Sequence, residues 1–324
     1  MKMLHSYWSK PFYESNPDGP ETRVSGGWPH GKYYYMSWAF SCLQLSRYYS
    51  RVELVTDRQG YQVLVEQLQL PYTDVRVELD RFNRYPPELW AVGKLHTYAI
   101  QEEPFLHIDC DLFIPGPFSK QLLNRPVIAQ HAELGYRFYN RVYGQILEHC
   151  PFIPGAIKNN CTAEAPINAY NMGLAGGHDL DFFKRLAGNA FEFIERNYDY
   201  LGHHATGQMN TIFEQVLCYY MLQDENKKMA LYTPITGERK VDFEMKSFTH
   251  FKGFPQNNKV LHLYGTCKLV KRFATELERK FKRMYPGYYA RIMDMCYSRP
   301  LTPLDNDRET PALPGADKKH QLAI

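Results

Sequence analysis

The ten residues Phe105-Leu106-His107-Ile108-Asp109-Cys110-Asp111-Leu112-Phe113-Ile114 constrain this chain more than any other stretch, because two acids interrupt an apolar, β-prone run. Such a run reads as a buried strand that carries carboxylates at its end. In an extended chain residues i and i+2 share a side, so Asp109 and Asp111 converge while Cys110 faces the other way, into the core. Adjacent carboxylates repel one another, and hard oxygen ligands suit Mg²⁺ or Mn²⁺ between them. A turn entered at Asp111 before Pro115-Gly116-Pro117 accounts for the same pattern, and so short a motif does not decide between the two.

A chain of 324 residues can bury the core of one large α/β domain. The formal charge of +3 is too mild to indicate nucleic acid, and no basic stripe interleaved with aromatics is present to hold single strands. The seven cysteines are scattered without a C-x-x-C pair, which points to neither a disulfide framework nor a zinc site and suits a reducing compartment. Residues Met1 to Lys10 lack the apolar core of a signal peptide, and no stretch approaches the roughly 18 apolar residues of a membrane span. A cytoplasmic location is therefore expected.

The pattern leading to the acidic run is α/β. Met3 to Trp8 is β-prone, and the polar, Gly- and Pro-rich stretch from Glu14 to Gly31 reads as a loop. Met36, Phe40 and Leu43 have helical spacing within Tyr33 to Tyr49, and Arg51 to Asp57 alternates into a second strand. That strand ends in Thr56 and Asp57, where open α/β sheets place ligand groups; Asp57 either holds a ribose or base or caps the next helix. A helix over Gly60 to Leu70, an edge strand over Val75 to Leu79 and a helix over Leu89 to Gln101 that carries Lys94 complete the approach. The βαβ rhythm predicts a mostly parallel sheet.

Beyond the acidic run, Val127 to Gln130 reads as a strand, and residues 131–160 mix aromatics, Gly and Pro without a clear period, as an inserted acceptor-side region would. Pro166 to Gly177 reads as a strand followed by a glycine turn, with Asn171 able to hydrogen-bond hydroxyls. Asp179 to Arg196 and Gln208 to Leu222 read as helices, with His203-His204 in the loop between them and the polar pair Glu214-Gln215 on the second. Lys259 to Lys268 then delivers His262 at a strand end, Gly265 for a tight backbone turn and Lys268 as a phosphate-binding charge. From Leu269 to about Tyr297 the chain reads as helical and basic; a solvated face is the preferred account, and contact with an anionic membrane the alternative. Residues 299–324 are polar and Pro-rich and read as a disordered tail.

Taken together, Asp109-Cys110-Asp111 and His262-Leu263-Tyr264-Gly265-Thr266-Cys267-Lys268 resemble the GT-A class of nucleotide-sugar glycosyltransferases, and within it glycosyltransferase family 8 and its uncharacterised bacterial relatives. The second segment matches that family's H-x-x-G-x-x-K element. Lys94, Asn171-Met172-Gly173 and Glu214-Gln215 look like its lysine, its Asn-x-Gly element and its acid-Gln pair, so the resemblance runs from about Tyr33 to Lys268. It departs at Leu269-Val270, which stand where the family commonly has Pro-Trp, at the missing Asn after Gln215, and at Ser6-Tyr7-Trp8, which lacks the usual donor-base pattern.

The resemblance implies a GT-A (Rossmann-like) α/β fold over residues 1–298, with a mostly parallel central sheet flanked by helices and basic C-terminal helices before the tail. It implies Mn²⁺ or Mg²⁺ on Asp109, Asp111 and His262, and a nucleoside diphosphate sugar whose phosphates meet Gly265 and Lys268. Lys94, Asn171 and Glu214 would hold the donor sugar, with Gln215 beside the anomeric carbon. The expected activity is transfer of a hexose, with retention, to an unknown glycan, lipid or peptide hydroxyl. Two other readings are a sugar nucleotidyltransferase, against which the missing Gly-rich phosphate loop argues, and an inactive sugar-nucleotide or glycan-binding protein, against which the intact Asp109, Asp111, His262 and Lys268 argue.

Overall fold

Buried strands form the centre of a seven-stranded sheet in the computed structural model, which describes residues 1–14, 24–162, 164–234, 251, 254 and 260–297. Strand β1 (Lys2–Tyr7) is flanked in parallel by β2 (Val52–Thr56) on one side and β4 (Phe105–Ile108) on the other, and β3 (Asp74–Val77) adds in parallel at the edge beyond β2. The nine-residue β7 (Ala169–Gly177) runs antiparallel to β4 and to β6 (Ile128–Glu133), and β8 (Ala230–Leu231) pairs in parallel with β6. The order β3-β2-β1-β4-β7-β6-β8 is thus mostly parallel, as the βαβ rhythm predicts.

Helices cover both faces. On one side α1 (Gly31–Tyr48) packs with the C-terminal pair α9 (Lys271–Met284) and α10 (Pro286–Tyr297) around Phe40, Phe113, Leu277 and Phe281. On the other, α3 (Ala91–Ala99), α4 (Arg137–His149) and α6 (Leu180–Arg196) bury Leu95, Tyr143, Phe183 and Phe193 in one cluster. Strand residues alternate between these layers as the pleat requires: Phe105 joins the α3–α6 cluster while Leu106 and Ile108 face away from it. Further helices are α2 (Arg58–Tyr61), which continues as a π turn over Gln62–Gln67, α5 (Gly155–Asn160), α7 (Tyr198–His204) and α8 (Leu217–Asp224), the last preceded by a π turn over Ile212–Val216; single helical turns lie at Lys10–Tyr13 and Lys120–Leu123.

Four local expectations are corrected. The acidic run is not one strand: β4 stops at Ile108, Asp109 to Asp111 turn, and β5 (Leu112–Phe113) leaves to pair antiparallel with β9 (Leu261–His262) in a separate two-stranded ribbon. The glycines after Asn171 form no turn but lie inside β7, because neighbours approach too closely for a side chain. Residues 131–160 contain α4, whose buried Tyr139, Val142, Tyr143 and Ile146 keep helical spacing that the surrounding aromatics hide. His203 and His204 end helix α7 rather than lying in a loop, and they take no part in the metal-capable cluster described below. The expected tail, residues 299–324, lies outside the described residues. No described helix is long and apolar enough to cross a membrane.

Two glycines separate packing from propensity. A Cβ on Gly176 would stand 2.1 Å from the Phe105 carbonyl oxygen and 2.8 Å from Leu106 Cα, both backbone atoms of the paired strand. Gly176→Ala is expected to lower unfolding free energy by about 3 kcal/mol. Gly188, on the exposed side of α6, has nothing within 4 Å of such a Cβ, and Gly188→Ala should raise stability by about 0.5–1 kcal/mol. Urea denaturation of the two variants checks both signs.

Candidate functional site: an Asp-Asp-His cluster between two lysines

The turn after β4 is fixed by two backbone bonds: Asp109 N donates to Gly173 O at 2.8 Å, and Leu112 N donates to Asp109 O at 3.0 Å. The β5–β9 ribbon places Leu112 opposite His262, and Leu263 N donates to Asp111 O at 3.0 Å. Residues about 150 apart in sequence therefore meet because a short ribbon forces register between them. Ligand atoms of Asp109, Asp111 and His262 all lie within 4.8 Å of one another, the only such group of three among the described residues.

His262 is held in a particular orientation. Its Nδ1 lies 2.7 Å from the Gln130 amide oxygen on β6, and its Nε2 lies 3.3 Å from Asp111 Oδ1. With the Gln130 oxygen accepting, Nδ1 carries the hydrogen and the Nε2 lone pair faces the carboxylates. Three acceptors then converge on one point, an arrangement that suits a hard or borderline divalent cation such as Mg²⁺ or Mn²⁺. Gly173 makes room for the ring: a Cβ there would stand 2.2 Å from His262 Cε1.

A lysine flanks each aspartate. Lys268 Nζ lies 2.6 Å from Asp111 Oδ2, and although burial acts to raise the Asp111 carboxyl, the Lys268 ammonium holds it well below the usual range. Lys94, buried on α3, places Nζ 2.9 Å from Asp109 Oδ1, 2.8 Å from Glu214 Oε1 and 2.8 Å from the Met172 carbonyl oxygen. Burial acts to discharge this ammonium, but Asp109 and Glu214 prevail and keep it protonated well above the ordinary lysine range. Glu214 is fully buried, and burial raises its carboxyl despite Lys94. As arranged, Glu214 therefore acts on Lys94 and does not reach an open surface.

The remaining candidates are placed as follows. Gly265 is exposed with φ +54°, a left-handed conformation that lets the chain turn into the 3-10 segment Gly265–Leu269 carrying Lys268. Asn171 donates to Glu133 Oε1 at 3.0 Å and accepts from Gly173 N at 3.1 Å, so its amide is already tied to the site's walls. Gln215 is half-buried, and its amide oxygen lies 2.9 Å from the Tyr139 hydroxyl, which also contacts Glu133. Asp57 stands apart from the cluster as a helix cap: it accepts from Ser9 N at 2.6 Å, Ser9 Oγ at 2.7 Å and Gly60 N at 2.7 Å. Of its two readings, capping describes the observed arrangement.

Sequence reasoning missed Gln130, Glu133 and Tyr139. The available signal was a strand, β6, in which Gln130, His131 and Glu133 stand among Ile128, Ala129 and Ala132, yet all are buried. A buried polar run inside a sheet must find partners, and here the partners are His262, Asn171 and Tyr139.

Two measurements follow from these contacts. Gln130→Leu removes the acceptor that orients His262, and Gly173→Ala pushes on its ring; each should weaken Mn²⁺ binding about 10–100-fold by titration calorimetry, whereas unchanged affinity would remove the cluster as the metal site. Burial pushes the Asp57 carboxyl up to about 6, against its hydrogen bonds from Ser9 and Gly60. The unfolded chain releases this proton near pH 3.9, so the folded state binds more protons between about pH 4 and 6 and loses stability as pH rises through that window. Relative to Asp57→Asn, the wild type should lose up to about 3 kcal/mol of unfolding free energy between about pH 4 and pH 7.

Comparison with known proteins supplies a family. No curated protein matches the chain in sequence. Among solved structures, mouse xyloside xylosyltransferase 1 in its apo form aligns at TM-score 0.35 and 10% identity, over 71% of this chain and 84% of that one. The galactosyltransferase LgtC, in complex with donor and acceptor sugar analogues, aligns at 0.41 and 10%, over 86% and 96%. The apo-form glycosyltransferase GlyE of Streptococcus pneumoniae TIGR4 aligns at 0.43 and 11%, over 92% of this chain and 64% of that one. A family model matches residues 1–295, a span that takes in the whole sheet, the Asp109–Asp111–His262 cluster, helix α9 and most of α10, and the chain accordingly belongs to the family of unknown function DUF6734.

Proposed function

We propose that this protein is a divalent-metal-dependent glycosyltransferase of the GT-A class, which moves a hexose from a nucleoside diphosphate sugar to a hydroxyl of a glycan, lipid or peptide. The observation that carries the reading is the convergence of Asp109, Asp111 and His262 within 4.8 Å, with Lys268 at one edge and Lys94 at the other. The donor set fits Mn²⁺ or Mg²⁺, since two carboxylates and an imidazole with its Nδ1 engaged by Gln130 leave oxygen and Nε2 lone pairs directed inward. When bound, such a cation supplies Lewis-acid stabilisation to the departing diphosphate.

The chain's own residues account for the rest. Lys268 and the exposed backbone of Gly265 form the edge that would receive phosphate oxygens, and a fixed ammonium there stabilises charge as the bond to the sugar breaks. A diphosphate is a good leaving group, so no general acid is required on that side. Lys94, anchored by Glu214, holds Asp109 in place, and Lys94, Glu214 and Asn171 are the groups assigned to the donor sugar's side of the site. Gln215 is the more open member of the Glu214-Gln215 pair, and its contact with Tyr139 orients it. It is the group assigned to the anomeric carbon in this reading, with retention of configuration taken from the resemblance to glycosyltransferase family 8.

The test is donor hydrolysis with a panel of nucleotide sugars and Mn²⁺. One donor should release nucleoside diphosphate slowly, with Asp109→Asn and Asp111→Asn each lowering the rate about 10²–10³-fold, and Gln215→Ala lowering kcat more than it changes KM. Metal-independent binding without turnover of any donor would reject the enzyme reading. Release of pyrophosphate from a nucleoside triphosphate and sugar phosphate would assign a nucleotidyltransferase instead, and product NMR showing inversion would reject retention.

A further inference from the structure

Helix α9 has a sharply divided surface. Ala274, Leu277 and Phe281 are buried against the body of the protein, while Lys271, Arg272, Thr275, Arg279, Lys282 and Arg283 are exposed. At about 100° per residue these six exposed positions fall within an arc of about 120°, opposite the buried stripe, so five cations form a single band along the helix. Arg272 bonds Glu276 at 2.9 Å and Lys282 lies 5.0 Å from the centre of the Tyr289 ring. Among the described residues no carboxylate is paired with Lys271, Arg279 or Arg283. The other acid of this helix, Glu278, is turned to the side and bound to Lys32 at 3.0 Å.

Two exposed apolar residues precede the band. Leu269 and Val270 are 59% and 46% exposed, and they lead directly into α9. The other exposed large apolar residues, such as Val77 and Leu147, are scattered singly, which is ordinary; an adjacent pair at the end of a cationic stripe is not. Leu269 also directly follows Lys268, whose ammonium rests on Asp111, so the patch begins where the candidate site ends.

We propose that this face, the cationic band of α9 with Leu269 and Val270 at its entry, docks the protein on an anionic lipid bilayer. A bilayer interface is the partner that uses both halves of the feature: lipid headgroups attract the lysines and arginines, and the acyl boundary accepts the short apolar pair. A soluble polyanion would use the charges and leave Leu269 and Val270 in water. The apolar face of α9 is already occupied by the protein core, so the contact is peripheral, made by side-chain tips and not by insertion of the helix. The structure thus favours the membrane alternative over a merely solvated face, on grounds independent of the reaction proposed above.

Co-sedimentation of the full chain with vesicles tests this. Binding is expected to phosphatidylcholine vesicles containing 30% phosphatidylglycerol and not to phosphatidylcholine alone, with release when NaCl is raised from about 0.1 to 0.5 M. Arg279→Glu/Arg283→Glu should weaken binding at least about tenfold and Leu269→Ser/Val270→Ser about fivefold, with thermal unfolding unchanged in both because all four residues are exposed. Failure of the wild type to bind anionic vesicles would overturn the proposal. So would binding insensitive to both variants, or binding to heparin as tight as to vesicles and unaffected by Leu269→Ser/Val270→Ser, which would assign a soluble polyanion.

Discussion

The buried ammonium of Lys94 is the contact on which the arrangement depends. It touches Asp109 after β4, Glu214 on the π turn before α8 and the Met172 carbonyl on β7, and so ties together four segments distant in sequence. Burial acts against the charge of Lys94, which Asp109 and Glu214 sustain, and it raises the Glu214 carboxyl, which Lys94 acts to lower. Removing one partner from such a group typically costs about 3–5 kcal/mol, because a charge is left behind without compensation. Around this tie, Asp109, Asp111 and Glu214 bring three carboxylates to a place where Lys94 and Lys268 supply two ammonium groups. The balance is tilted toward accepting a further cation.

Two features of the backbone convert that electrostatic tilt into a site. The β5–β9 ribbon is only two residues long on each side, yet it sets His262 opposite Leu112 and therefore beside Asp111. Gly173 on β7 leaves the volume into which the imidazole fits, and Gln130 on β6 engages the ring's far nitrogen. The sheet thus supplies the floor and the ribbon supplies the third ligand, while the left-handed Gly265 starts the 3-10 turn that brings Lys268 back onto Asp111.

Much of the fold was legible in sequence because its signals are local: the β-prone stretch from Met3 to Trp8 forms the strand Lys2–Tyr7, the alternation over Arg51 to Asp57 forms Val52–Thr56, the helical spacing within Tyr33 to Tyr49 forms Gly31–Tyr48, and Asp179 caps α6 by accepting from Phe182 N at 3.0 Å. Asp109 and Asp111 stood out as acids in an apolar run, but the route by which they converge did not. An extended strand was expected, whereas a turn stabilised by the Gly173 carbonyl, a contact across 64 residues, brings them together. Glycines inside β7 looked like a turn because close approach by Phe105 and His262 cannot be read from the glycines themselves. Gln130, Glu133 and Tyr139 were invisible for the same reason: a polar residue in a strand announces a partner without naming it. Helix α4 was hidden by aromatic residues that obscured its period, although Tyr139, Val142, Tyr143 and Ile146 hold it.

The role of Asp109, Asp111 and His262 is tested most directly by where a divalent cation binds. Crystals of the protein grown with Mn²⁺ and a nucleoside diphosphate, with diffraction recorded at the manganese absorption edge, should show one anomalous peak bonded to Asp109, Asp111 and His262 Nε2. A peak elsewhere, or none at saturating Mn²⁺ with the three side chains unmoved, would contradict it.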